Sequence, residues 1–225
     1  MQLMKRIILL FVFAVCGLCR VQAQQTEIAF GLRGGNNALF GDFATLSFEA
    51  DYSAKQLFAI RGGVQHNTFA RSAAEVRPKL FCDLKFGKLA AELLLSYTYQ
   101  SSINNYAVGG GVVLNNRHIW ATLGYYYRIM TRATSTIHEP FNIYYELGIR
   151  CLPNRERWDM NIILSNSRLC ELERHYQPSL TVEGWWFPLQ CLGVQLGTTY
   201  KAAGAFNISS DYYQLYANLG VCYRW

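Results

Sequence analysis

Four histidines, His66, His118, His138 and His175, are the residues in this chain best suited to general-base work. None stands in a His-Glu-x-x-His zinc helix, and there is no Gly-x-Ser-x-Gly nucleophile elbow. One spacing could bring reactive groups together. In His66-Asn67-Thr68 the imidazole and the hydroxyl are two residues apart, so on a strand they share a face and base could touch nucleophile. No third residue that would orient His66 can be named from the sequence. The plainer expectation is a rim histidine beside a loop-capping threonine, so no catalytic residue, metal site or cofactor is assigned. Cys82, Cys151, Cys170, Cys191 and Cys222 are too irregularly spaced for zinc. Cys82 and Cys151 fall on the apolar faces of alternating runs, and a disulfide, for instance Cys151 with Cys191, is left open.

The charged residues carry more information through their positions. Glu49, Asp51, Arg61, Lys79, Asp83, Lys85 and Glu92 all fall on one parity of alternating runs, opposite the apolar residues. So do Arg128, Glu146, Arg150, Asp159, Glu183 and Arg224, together with Glu27, Arg33 and Lys201. The elements that would position them are strands. The last run shows the pattern over its full length: Tyr213, Leu215, Ala217, Leu219, Val221, Tyr223 and Trp225 alternate with mostly polar or small residues. From Thr26 onward there are twelve such runs, and none carries a charge on its apolar parity. The runs at 106–114 and 192–200 are the weakest, which makes ten strands the fallback.

The C-terminal residues Asn218, Gly220, Tyr223 and Trp225 form a polar-x-Gly-x-x-aromatic-x-aromatic pattern. This resembles the insertion signal of bacterial outer-membrane β-barrel proteins. The resemblance implies recognition by the barrel assembly machinery, a Gram-negative outer-membrane location, and outer-membrane lipid and lipopolysaccharide as surroundings. The alternation fits that class: apolar side chains face lipid and charges face a lumen, because Arg or Lys at the bilayer midplane costs about 2–4 kcal/mol on a lipid-facing strand. The fold expected is all-β, an antiparallel transmembrane barrel with short periplasmic turns and longer extracellular loops. Short links at 55–56, 87–88, 115–117, 154–156 and 188–189 alternate with longer ones at 34–42, 66–78, 101–105, 130–140, 166–177 and 202–210. Aromatic girdles follow, with Tyr97, Tyr99, Tyr125, Tyr127 and Tyr213 on the loop side, and Tyr52, Phe58, Phe86, Trp158 and Trp186 on the turn side.

At the N-terminus, Lys5 and Arg6 precede an apolar run from Ile7 to Val15, and Val21-Gln22-Ala23 suits cleavage. Residues 1–23 are read as a signal peptide and residues 24–225 as the barrel. Loss of Lys5, Arg6 and Arg20 with the leader brings the net charge from +6 to about +3, too little to argue for nucleic acid. The inward charges are nearly balanced in sign, whereas a selective pore shows a ring of one sign. Bulky inward residues (Phe81, Trp120, Tyr126, Trp185, Tyr216) would fill the lumen, and inward glycines (Gly31, Gly63, Gly124, Gly148, Gly197) would free space. The expected function is non-enzymatic and monomeric: a narrow channel for small polar solutes, or a passive structural barrel. The alternatives are a lipid-acting hydrolase using His66, and a surface-binding protein whose loop residues Arg71, Lys79, Arg132, Arg168 and Arg174 meet lipopolysaccharide phosphates.

Overall fold

A computed structural model describes residues 25–38, 41–54, 57–152, 157–172, 177–202 and 212–225, the side chains of Tyr212 and Tyr213 excepted. The leader 1–23 and Arg174, His175 and Tyr213 as side chains lie outside this set. The strands are β1 (Gln25–Asn37), β2 (Gly41–Ala54), β3 (Phe58–Asn67), β4 (Ser72–Leu84), β5 (Gly87–Gln100), β6 (Ile103–Asn115) and β7 (Ile119–Arg132). They continue as β8 (Ser135–Arg150), β9 (Trp158–Ser165), β10 (Ser167–Arg168), β11 (Glu171–Leu172), β12 (Ser179–Leu189), β13 (Leu192–Ala202) and β14 (Tyr212–Arg224). Twelve of them form one closed antiparallel barrel, each paired with its sequence neighbours, while β10 and β11 form a separate two-residue ribbon. The barrel shuts where β1 meets β14: Thr26 N–H donates to Trp225 O at 2.9 Å, and Trp225 N–H to Thr26 O at 3.0 Å. Closure leaves no edge strand, which is the condition for crossing a bilayer with strands. The even strand number brings Gln25 and Trp225 to the same end.

The period-2 pattern becomes an inside and an outside. On the outer face Phe30, Leu46, Leu80, Leu123 and Leu196 are exposed, whereas the alternate residues Glu92, Leu94, Thr122 and Thr181 are buried within the barrel. Apolar side chains pointing outward in this number are stable only in a lipid solvent. Aromatics sit at both rims. Trp158 and Trp186 stack at 6.0 Å, and Tyr223 lies 5.5 Å from Trp225 at the termini end. At the other end Tyr97 meets Tyr106 at 5.1 Å, and Tyr125 stacks on Phe141 at 6.5 Å. Tyr99 is exposed, Tyr52 and Phe58 are half-buried, and Tyr127 is tied to His138 Nδ1 through its hydroxyl at 2.7 Å. Phe86 stands in the β4–β5 turn, 90% exposed. A charge placed mid-strand on this surface has a clear expected result. Leu93→Arg lowers unfolding free energy in lipid vesicles by about 2–4 kcal/mol, read by denaturant titration, while Leu93→Ile leaves it nearly unchanged.

Strand boundaries differ from the sequence expectation mostly at the end away from the termini. Residues 66–78 and 130–140 were expected to be long loops, but are largely strand. The β3–β4 turn is only a few residues, pinned by Asn67 Oδ1, which accepts from Phe69 N and Arg71 N. β7 and β8 join through a two-residue turn, with Arg132 paired to Ser135. The expected loop ended at Pro78 and took in Glu75 and Arg77. Strand β4 runs through them, and only its ladder to β5 is interrupted, between the Val76–Leu95 and Lys79–Glu92 pairs. The β3–β4 and β7–β8 hairpins are therefore short, and the β5–β6 turn is tight because Ser101 and Ser102 accept positive φ (50° and 66°).

Two of the inward glycines, Gly124 and Gly148, do not leave empty space, whereas Gly31 lines the cavity in the termini half. A Cβ on Gly148 would lie 2.0 Å from the Trp120 ring, and one on Gly124 would lie 2.4 Å from that of Tyr144. Each of these two glycines lets an aromatic from a neighbouring strand lie across it. The largest departure is the connection after β9. The expectation placed 166–177 outside as a loop. Instead Asn166, Ser167, Leu169, Cys170 and Glu171 are buried, because this segment folds back into the barrel.

Candidate functional site

The inward segment β10–β11 is held by side chains from most of the way round the wall. Arg168 Nη1 donates to Thr181 Oγ1 at 2.8 Å and Thr199 Oγ1 at 3.1 Å, and its Nη2 pairs with Glu183 at 3.0 Å. Glu171 Oε1 accepts from Arg33 Nη1 at 2.5 Å. Its Oε2 accepts from Lys201 Nζ and from the Tyr216 hydroxyl, each at 2.9 Å. Three backbone carbonyls of the segment are also taken up. Ser167 O accepts from Arg77 at 2.7 Å, Cys170 O from Gln65 at 2.6 Å, and Leu172 O from Arg128 at 3.1 Å. Burial opposes ionisation of the Glu171 carboxyl, but Lys201 and Arg33 outweigh it and hold the group well below the usual carboxylate range.

Apolar contacts complete the seal. Leu169 and Cys170 pack on Ala73, and Leu172 packs on the cluster of Leu94, Ala107, Tyr126 and Tyr144. The absence of a side chain at Gly63 makes room for the segment, since a Cβ there would lie 2.8 Å from Leu169 Cδ2. The half of the barrel away from the termini is consequently filled. Arg33, Glu75, Arg77, Arg128, Glu171 and Lys201 are each under 8% exposed.

The termini half is hollow. A polar cavity of about 780 Å³ extends up to Arg168 and Leu169 of the inward segment. On one side Arg61 bridges Glu49 at 2.8 Å and Asp51 at 3.4 Å. Opposite, Trp120 donates to Glu146 at 2.6 Å, and the Arg150 guanidinium lies over the Trp120 ring at 4.8 Å, with Asp159 nearby on the lining. Glu183 joins Arg168 to Gln195, and Arg224 covers Phe187 at 3.8 Å. Lys79 pairs with Glu92 at 3.0 Å. Among the described residues no group of three or more His, Cys, Asp or Glu side chains could hold a metal.

Most of the sequence-assigned lumen charges are thus inside and paired. Two are not in the lumen. Lys85 stands exposed in the β4–β5 turn, because the strand ends one residue earlier, and Asp83 sits on the open rim, 4.0 Å from Lys88. Arg128 is inside but in the sealed half. Glu75, Arg77 and Glu171 are central residues that the sequence reading placed in loops. Alternation extended through Pro78 would have found the first two, but nothing local marks Glu171. The surface-binding assignment changes as well. Arg168 and Lys79 point into the barrel, Arg71 reaches Cys170 O at 3.5 Å, and Arg132 alone of the described members stays exposed at a hairpin end.

His66 does not meet Thr68 as a base would meet its nucleophile. Its Nδ1 lies 2.9 Å from Ser72 Oγ on the adjacent strand, whereas Thr68 Oγ1 accepts from Ala44 N at 3.2 Å. Among the described residues no carboxylate bonds the His66 ring, so the orienting member of a catalytic set is missing there. The five described cysteines are free thiols, with Cys170 and Cys222 buried, and Cys151 lies just beyond β8 rather than on a strand face.

Closed wall, apolar outer surface and polar interior define the class: a twelve-stranded β-barrel of the bacterial outer-membrane type. No protein-family model matches the chain, and no curated protein sequence does. Solved structures do. The KdgM porin in complex with disordered oligogalacturonate superposes with a TM-score of 0.57 at 12% identity, covering 88% of this chain and 98% of that one. The NanC porin gives 0.55 at 9% identity, with the same coverage. The translocator domain of the autotransporter NalP from Neisseria meningitidis gives 0.56 at 12% identity, covering 94% of this chain and 92% of that one. At these identities the likeness is one of fold.

Proposed function

We propose that this protein is a non-enzymatic outer-membrane channel for small polar solutes, held closed by the segment Ser167–Leu172. The observation that carries the reading is the charge-lined cavity of about 780 Å³ that ends at that segment. Its polar and charged lining offers a small polar solute partners as far as that segment. The closing segment comes from a connection, not from a wall strand, so its withdrawal would open the lumen without breaking the barrel ladder. The termini end, where the cavity begins, faces the periplasm in this reading, as in barrels of this class. Residues 1–23 then serve as the cleaved leader. Asn218, Gly220, Tyr223 and Trp225 serve as the assembly signal, with the two aromatic rings on the lipid face and about half exposed. Arg132 is the one described basic loop residue left for contact with lipopolysaccharide phosphate, and the barrel functions as a monomer.

Single-channel recording tests the reading. Refolded protein, shown to be folded by its altered gel migration before boiling, is added to a planar bilayer. Long closed periods broken by small, discrete conductance steps are expected. A silent bilayer across the usable voltage range, with folding verified, overturns the proposal in favour of a sealed barrel.

A further inference from the structure

We propose that Arg33, Lys201 and Tyr216 form a carboxylate-binding site in the lumen, which Glu171 occupies as a tethered ligand and which a small organic acid would enter in its place. The proposal names a solute class for the channel and rests on that reading only for passage, not for binding.

The site is built from the wall. β13, β14 and β1 are consecutive in the barrel, and they bring an ammonium, a phenol and a guanidinium to one point. Arg33 and Tyr216 come from directly adjacent strands, where Gly35 is the register partner of Tyr216. Three donors serve two carboxylate oxygens: Oε1 takes Arg33, and Oε2 takes both Lys201 and Tyr216. Charged donors on both oxygens of a planar carboxylate are a strong and geometrically selective arrangement. Arg33, Lys201 and Tyr216 are each at least nine-tenths buried, so their positions are set by packing. None of them belongs to the inward segment. The segment contributes only the acceptor, and Glu171 is 138 residues from Arg33 in sequence.

Access and complementarity support the same assignment. Arg33 lines the open cavity, so the site borders the space a solute would reach from the termini end. The segment's backbone carbonyls are likewise held by donors, Arg77, Gln65 and Arg128. A carboxylate carrying further acceptor oxygens, such as a hydroxy or sugar acid, matches what the wall offers. A neutral solute would leave Arg33 and Lys201 facing each other without an anion between them.

Chemical rescue tests the site with acetate as the probe. In Glu171→Ala, acetate in place of chloride at equal ionic strength should raise the midpoint of heat unfolding by about 3 °C or more. Acetamide, the same shape without charge, should not. Wild type should show no acetate-specific shift, since Glu171 fills the site, and the double variant Glu171→Ala/Lys201→Met should lose the shift. Should Glu171→Ala fail to fold in chloride, refolding yield in acetate against acetamide reads the same site. Equal effects of acetate and acetamide, or an undiminished shift in the double variant, overturn the proposal. Bilayer recordings separate it from the channel reading. Rescue with silent bilayers keeps the site and removes the channel, while conduction without rescue does the reverse.

Discussion

Replacing Glu171 by alanine is expected to lower the unfolding free energy of the barrel by about 3–5 kcal/mol, the usual cost of deleting one partner from a buried ion pair. The size comes from what is left behind. The Arg33 and Lys201 side chains are 7% and 3% exposed, and each pairs with a Glu171 oxygen. With the segment still in place, water does not reach them freely, and Glu49, 3.5 Å from Arg33, is already shared with Arg61. Glu171→Gln should cost less, because an amide oxygen still accepts one hydrogen bond but removes the charge. Denaturant titration in lipid vesicles, followed by tryptophan fluorescence, measures both. A loss below about 1 kcal/mol for Glu171→Ala, the scale of a surface pair, would show that the pairs are hydrated and the segment loosely seated.

Replacing Ser167–Leu172 with a glycine–serine linker of equal length is expected to raise unitary conductance several-fold. This change removes Arg168, Glu171 and Leu172 together, and with them the contacts to β12, β13, β1 and the Tyr126–Tyr144 cluster. Unlike the point variant, it floods the outer half, so Arg33, Lys201, Arg77 and Arg128 become solvated. The swap removes one cation, Arg168, and one anion, Glu171, so ion preference should shift little from that of wild type. Reversal potentials in a salt gradient read the selectivity. Conductance equal to wild type would mean that wall side chains such as Tyr126 and Tyr144, and not the segment, close the lumen.

Much of this molecule is legible locally. Alternation alone separates Phe30, Leu46 and Leu123, which face outward, from Glu49, Arg61 and Glu146, which face inward. Lipid penalises charge on one face whatever the partner strand is. Leu192–Ala202 and Ile103–Asn115, the weakest runs, are full barrel strands because their neighbours supply the ladder that their own patterns advertise poorly. Strand β4 runs through Pro78, inside the expected loop, for a related reason. A proline in a strand costs one donor, and a strand held in register on both sides tolerates that loss. Glycines such as Gly124 and Gly148 could be placed inward but not interpreted, since their purpose is a ring on another strand.

By itself, then, the sequence determined an even-stranded barrel with an apolar exterior, charged interior and aromatic rims. Those properties depend on a two-residue period and on the solvent each face meets. Only the tertiary structure decided that Ser167–Leu172 turns inward, that half of the lumen is sealed, and that Glu171 lies between Arg33 and Lys201. No local pattern encodes these, because the segment is short and mixes Arg168 and Glu171 with Leu169, Cys170 and Leu172 in no strand or helix period. Its place is set by donors on strands far away in sequence, which leave a carboxylate-shaped gap only once the barrel has closed.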